Sequence, residues 1–165
     1  MTIEDHLVNP DMLRSLYGHP LDWSRVRIRS INLDWRGPTV ALRVDLPAFP
    51  DVPPTEWIEA GADTVQCQLQ FLAVEDIRLT EWTPPAVGSL DVAPRGAERR
   101  MRVTFRGGGV KVEFESNESV RIGHVSAFAS HPDGSDDGPH LFLSKVDARR
   151  FSALPATHEK TFYAR

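Results

Sequence analysis

The chain holds a single cysteine, Cys67, so neither an internal disulfide nor a cysteine-based zinc site can be assembled from it. Long apolar runs are absent, and nothing approaches the roughly 20 consecutive apolar residues that a bilayer-crossing helix requires. The opening MTIEDHLVNP carries Glu4 and Asp5 where a secretory leader would carry basic residues and an apolar run. A reducing, cytoplasmic setting without a membrane partner is the expectation. Positive charge is also short, with 19 lysines and arginines against 23 aspartates and glutamates for a formal net charge of −4. A surface that tracks nucleic-acid phosphates needs the opposite balance, so no nucleic-acid partner is expected.

Signatures of chemistry are missing too. No zincin, nucleophile-elbow, kinase or dinucleotide motif occurs. The RGGGV stretch at 106–110 lacks the lysine and the strand-to-helix setting of a phosphate loop, and reads as a hairpin turn. The residues point to a non-enzymatic protein with no cofactor and no bound metal. By themselves they state no function.

What is present is short-range alternation. At 165 residues the chain suits one domain spanning 1–165, long enough to bury roughly 70% of its unfolded surface. Asn9 as N-cap, Pro10 at the first helical position and Gly18 as a stop predict one short N-terminal helix, with Met12, Leu13, Leu16 and Tyr17 on an apolar face. Val40, Leu42, Val44 and Leu46 then alternate with polar residues, the period of a half-buried strand. Its partner changes phase at Arg29-Ser30. A one-residue bulge there restores one buried face and pairs Leu33 with Val40, Ile31 with Leu42, Ile28 with Val44 and Val26 with Leu46.

After Pro47 the proline-rich AFPDVPPTEWIEAG excludes regular pairing and predicts an extended loop around Trp57. Residues 64–74 form the cleanest strand, with Val65, Cys67, Leu69 and Phe71 inward and Gln66, Gln68 and Gln70 outward. Shorter strands at Ile77–Leu79 and Leu90–Val92 flank the Pro84-Pro85 break. Residues 100–115 make a second hairpin, read as pairing Phe105 with Val110, Val103 with Val112 and Met101 with Phe114, and placing Arg102 opposite Glu113 and Arg100 opposite Glu115. A strand at 120–128, a polar loop at 130–140 and a return at 141–143 follow. The loop and the tail at 147–165 are candidates for flexibility, the tail as an extended arm or short helix. Seven to nine short strands in serial order give a mainly β (α+β) chain, either an antiparallel sheet or a β-sandwich, capped by the one helix.

Few residues in this frame invite a functional reading. Asp133–Gly138 fits the opening half of a calcium loop, but its twelfth position is Ser144 where a bidentate glutamate is needed, so it reads as a solvated turn. His131 and His140 flank that turn as a surface pair without ligand spacing. His124 shares a phase with Val120, Ile122 and Phe128 and points inward, beside Ser126 but without a visible third acid. It reads as a core histidine or, alternatively, as the centre of a small-ligand or minor enzymatic pocket. A third possibility is self-assembly through the Gln66-Gln68-Gln70 face. Trp57 serves either as packing or as a partner anchor.

The segments YGHPLDW (17–23), GPTVALRVDLPAFP (37–50) and PPTEWIEAGADTVQCQLQFLAVEDIRL (53–79) resemble actinobacterial members of the bacterial immunity proteins of the immunity protein 50 family. The likeness runs from about residue 9 to about residue 130. It implies the antidote half of a polymorphic toxin system, a protein that binds a cognate toxin domain and blocks it. For such a surface it suggests Asp133, Asp136 and Asp137 as electrostatic contacts and Trp57 as an anchor.

Overall fold

The first hairpin forms as its alternation predicts. In the computed structural model, which describes residues 1–150, strand β1 (Val26–Asp34) runs against β2 (Thr39–Asp45) with Leu33 opposite Val40, Ile31 opposite Leu42 and Ile28 opposite Val44. The register shifts between Ile28 and Ser30, at the expected bulge. Arg29 is the extra residue, which keeps Ile28 in the core and frees the arginine for the opposite face. The fourth expected pair, Val26 with Leu46, lies outside the ladder, because β2 ends at Asp45 and Val26 pairs with Gly88 instead.

Seven more strands follow: β3 (Thr64–Phe71), β4 (Glu75–Thr80), β5 (Ala86–Arg95), β6 (Arg100–Gly107), β7 (Val110–Asn117), β8 (Val120–Phe128) and β9 (Leu141–Phe142). They complete one open antiparallel sheet in the order β4-β7-β6-β5-β1-β2-β3-β8-β9. Of the two architectures the alternation allowed, this is the single sheet. It nonetheless folds over itself: the Phe71 and Phe114 rings meet edge to face at 5.1 Å, and the Asn117 N–H donates to the Leu72 carbonyl at 3.0 Å. The turning point is β5, whose first residues pair with β1 and whose later ones pair with β6. Gly88 and Gly107 make that switch possible, since a Cβ on either would lie 2.1 Å from a backbone carbonyl oxygen of the other strand.

The second hairpin differs from its expected register by two residues. Gly108 and Gly109, with φ of 59° and 82°, close a two-residue turn, so Phe105 meets Val112, Val103 meets Phe114 and Met101 meets Ser116. The shift leaves the buried face unchanged because side chains alternate with period two. It changes the charge pairs: Arg102 faces Glu115 at 2.7 Å, and Arg100 faces Asn117.

Among the described residues three short α-helices accompany the sheet where one was expected, α1 (Asp11–Leu16), α2 (Thr55–Glu59) and α3 (Lys145–Arg150), with 3-10 turns at Ile3–His6 and Trp23–Arg25. Leu13 and Leu16 bury the face of α1. Asn9 does not cap it. Its side-chain amide spans the edge of β8, donating to the Ile122 carbonyl at 2.7 Å and accepting from the Ile122 N–H at 3.0 Å, beyond the reach of the two-residue β9. Where an extended loop is expected around Trp57, the chain forms α2. Pro54, with φ of −55°, occupies its N-cap, so the prolines that forbid a strand prepare a helix start. The tail expectation falls partly on α3; residues 151–165 lie outside the described residues.

Candidate functional site

The two faces of the β1-β2-β3-β8 region differ in kind. Val44, Cys67, Leu42, Leu69, Val40 and Phe71 fill the core face. Burial pushes the Cys67 thiol well above its usual titration range, aided by the Asp45 charge. On the other face lie Asp45, Gln66, Gln68, His124 and Ser126, and over it come His140 and Asp147 from the segment after β8. Apart from Ser116, these are all the buried polar and charged residues among those described. Gln66 and Gln68, expected outward, are fully buried, and the segment after β8 reaches Gln66 through Asp136. An assembly surface made from Gln66, Gln68 and Gln70 is thereby removed.

Arg29 organises this layer. Its Nε donates to both Asp45 oxygens at 3.1 and 3.0 Å, and its Nη2 donates to Oδ2 at 2.6 Å. Nη1 donates to the Gly134 carbonyl at 2.8 Å, and the guanidinium carbon sits 5.6 Å from the centroid of the Phe128 ring. Gln66 bridges two carboxylates, donating from Nε2 to Asp45 at 2.8 Å and to Asp136 at 2.9 Å. Asp136 also faces Arg29 at 3.6 Å and Arg43 at 3.5 Å. Burial opposes charge on both partners. For Arg29 the Asp45 contact and the Asp136 charge outweigh it and hold the pKa above its ordinary value. For Asp136 the Gln66 bond and the Arg43 and Arg29 charges outweigh it and hold the pKa below.

Two imidazoles complete the attachment. His124 occupies a β8 bulge with φ of 50°, and its Nδ1 lies 3.2 Å from Asp147 on α3. Ser126 turns to His140, not to His124. The Asp136 carbonyl can only accept, so in the neutral His140 ring Nε2 carries the proton at 2.9 Å, and Nδ1 accepts from the Ser126 hydroxyl at 2.9 Å. The ring stacks on Phe128 with centroids 4.7 Å apart. His140 is therefore internal, and the expected surface pair with the exposed His131 does not form. An acid does stand beside His124, as no sequence spacing foretold, but Ser126 belongs to a different contact and His124 is fully buried. Clefts of about 430, 380 and 230 Å³ lie beside Tyr17, Trp57 and Phe128 respectively; His124 lines none of these three. Among the described residues no three of His, Cys, Asp and Glu converge on a metal-sized point.

Of the residues proposed for partner contact, Trp57 is 1% exposed and packs on Phe49 with ring centroids 6.4 Å apart, so it is a core residue rather than a surface anchor. Asp136 is committed to the internal network. Asp133 and Asp137 remain exposed. The tryptophan that does face solvent is Trp35, 81% exposed in the β1–β2 turn beside Leu33, which is half exposed, with Arg36 over its ring at 5.4 Å. The signal for it was the turn itself: Asp34-Trp35-Arg36-Gly37 leaves a large side chain beyond the last paired residues. No described helix is long and apolar enough to cross a membrane.

Residues 9–127 match the family described as Immunity protein 50, and the chain belongs to that family. An immunity role follows from this membership. No curated protein and no solved structure matches the chain.

Proposed function

We propose that the protein neutralises a cognate bacterial toxin by binding its toxic domain and blocking it, without chemistry of its own. Family membership supports the immunity role, and the observation that carries the binding reading is the exposed Trp35–Arg36–Leu33 tip of the first hairpin. Tryptophan and arginine dominate interface hot spots, and here they are presented on a bulge-locked hairpin that loses little freedom on binding. Asp133 and Asp137 add an exposed acidic pair suited to speeding encounter with a basic toxin surface. The competing pocket around His124 lacks an accessible imidazole.

The test is co-expression with the toxin domain encoded beside it, followed by affinity purification and a growth assay. A near-equal complex and rescued growth are expected, both weakened by Trp35→Ala. A protein that leaves growth arrested and purifies alone overturns the reading.

A further inference from the structure

Asp136 sits in a seat that it does not saturate. Its carboxylate accepts one short hydrogen bond, from Gln66 at 2.9 Å, while its contacts to Arg29 and Arg43 stretch to 3.6 and 3.5 Å. Well-formed charge-assisted bonds run nearer 2.7–2.9 Å. One donor of the same seat, Arg43 Nε, is buried without a hydrogen-bond partner among the described residues. Buried donors are normally satisfied, so this guanidinium has donor capacity that Asp136 leaves unused.

Charge and chain origin point the same way. Arg27, Arg29 and Arg43 converge on two carboxylates, Asp45 and Asp136, with the exposed Asp137 further out. Withdrawing Asp136 leaves three guanidiniums around one carboxylate: Arg29 keeps its Asp45 contact, while Arg43, with a side chain 24% exposed, loses the carboxylate it faces. A largely buried charge deprived of its partner is unfavourable, and an anion from outside relieves it. Arg29, Arg43, Asp45 and Gln66 all lie within the family-matched residues 9–127, whereas Asp136 lies beyond them.

We propose that Arg29, Arg43 and Gln66 form a carboxylate seat that the chain's own Asp136 fills as an internal ligand, and that takes an external carboxylate when Asp136 is withdrawn. A free small carboxylate and the acidic side chain of a bound protein share this chemistry.

The test uses the full chain carrying Asp136→Ala, unfolded thermally in acetate or in a blocked Gly-Asp-Gly peptide against chloride at equal ionic strength. At about ten times its dissociation constant a bound carboxylate should raise the midpoint by roughly 3–5 °C in a domain of this size. Asp136→Ala with Arg43→Ala should lose the rise. A rise with both probes assigns a seat open to protein side chains, and a rise with acetate alone assigns a small ligand. If the alanine variant does not fold, Asp136→Asn removes the charge at equal size and is read the same way. A response to acetate and peptide no different from chloride overturns the proposal, as does a rise that survives loss of Arg43. No toxin enters the experiment, so its failure leaves the neutralisation reading standing.

Discussion

Arg29 and Asp45 form a side-on ion pair, with Nε 3.0 Å and Nη2 2.6 Å from the same carboxylate oxygen and both side chains 6% exposed. The bulge at Arg29 creates the pair by giving one residue of β1 a face that strict alternation denies it. Arg29→Met would strand a buried carboxylate, and a loss of about 3–5 kcal/mol in urea unfolding is expected. The double change Arg29→Met, Asp45→Leu should recover much of that loss, since both charges leave together.

The two tryptophans should separate stability from binding. Trp57→Ala empties a core site and should cost about 3–5 kcal/mol. Trp35→Ala should leave the unfolding midpoint nearly unchanged, within about 0.5 kcal/mol, while weakening toxin binding by at least about 2 kcal/mol, or roughly 30-fold. Calorimetric unfolding and titration of the same two variants check both halves.

Acid should loosen the segment after β8 before it unfolds the sheet. Asp136 has a folded pKa below its ordinary value, so the native state binds fewer protons than the unfolded chain across that interval. Its contribution is present above the usual carboxylate range and is lost as pH falls through the folded value. Asp63, held low by bonds from Ser130 and Thr64 that outweigh burial, acts in the same direction at the start of the segment. Protection from hydrogen exchange at 131–139, taken relative to the intrinsic rate at each pH, should therefore fall below about pH 4, with a flatter pH response in Asp136→Asn. Exchange in β6 and β7 should not change with it.

Cys67 should be inert in the native state. It is fully buried and its thiol is pushed up by burial, so a thiol reagent at neutral pH should label it only as fast as the chain opens. Rapid labelling of folded protein would contradict its placement.

Alternation made the core face legible: Val65, Cys67, Leu69 and Phe71 lie inward as their period required, and the phase change at Arg29 marks the bulge in the sequence itself. The same period could not say what covers the other face. Gln66 and Gln68 are polar and read as solvated, yet both are buried, Gln66 joined to Asp136 some 70 residues away by a contact that carries no local pattern. The second hairpin slipped by two residues for a related reason, since faces are encoded by period but turn length by Gly108 and Gly109 alone. Trp57 misled because prolines forbid strands but serve equally well before a helix.

The amide of Asn9 has a further meaning for handling the protein. A strand edge with open N–H and C=O groups recruits strands from other molecules, and Asn9 together with the Leu7–Val120 bridge occupies that edge of β8. A chain trimmed to begin after Asn9 would keep all nine strands and most of its core. It would lose the buried Ile3 and the Glu4 bonds to Leu21 and Trp23, and some stability with them, but its distinctive defect would be social: aggregates that grow with protein concentration through the bared edge of β8.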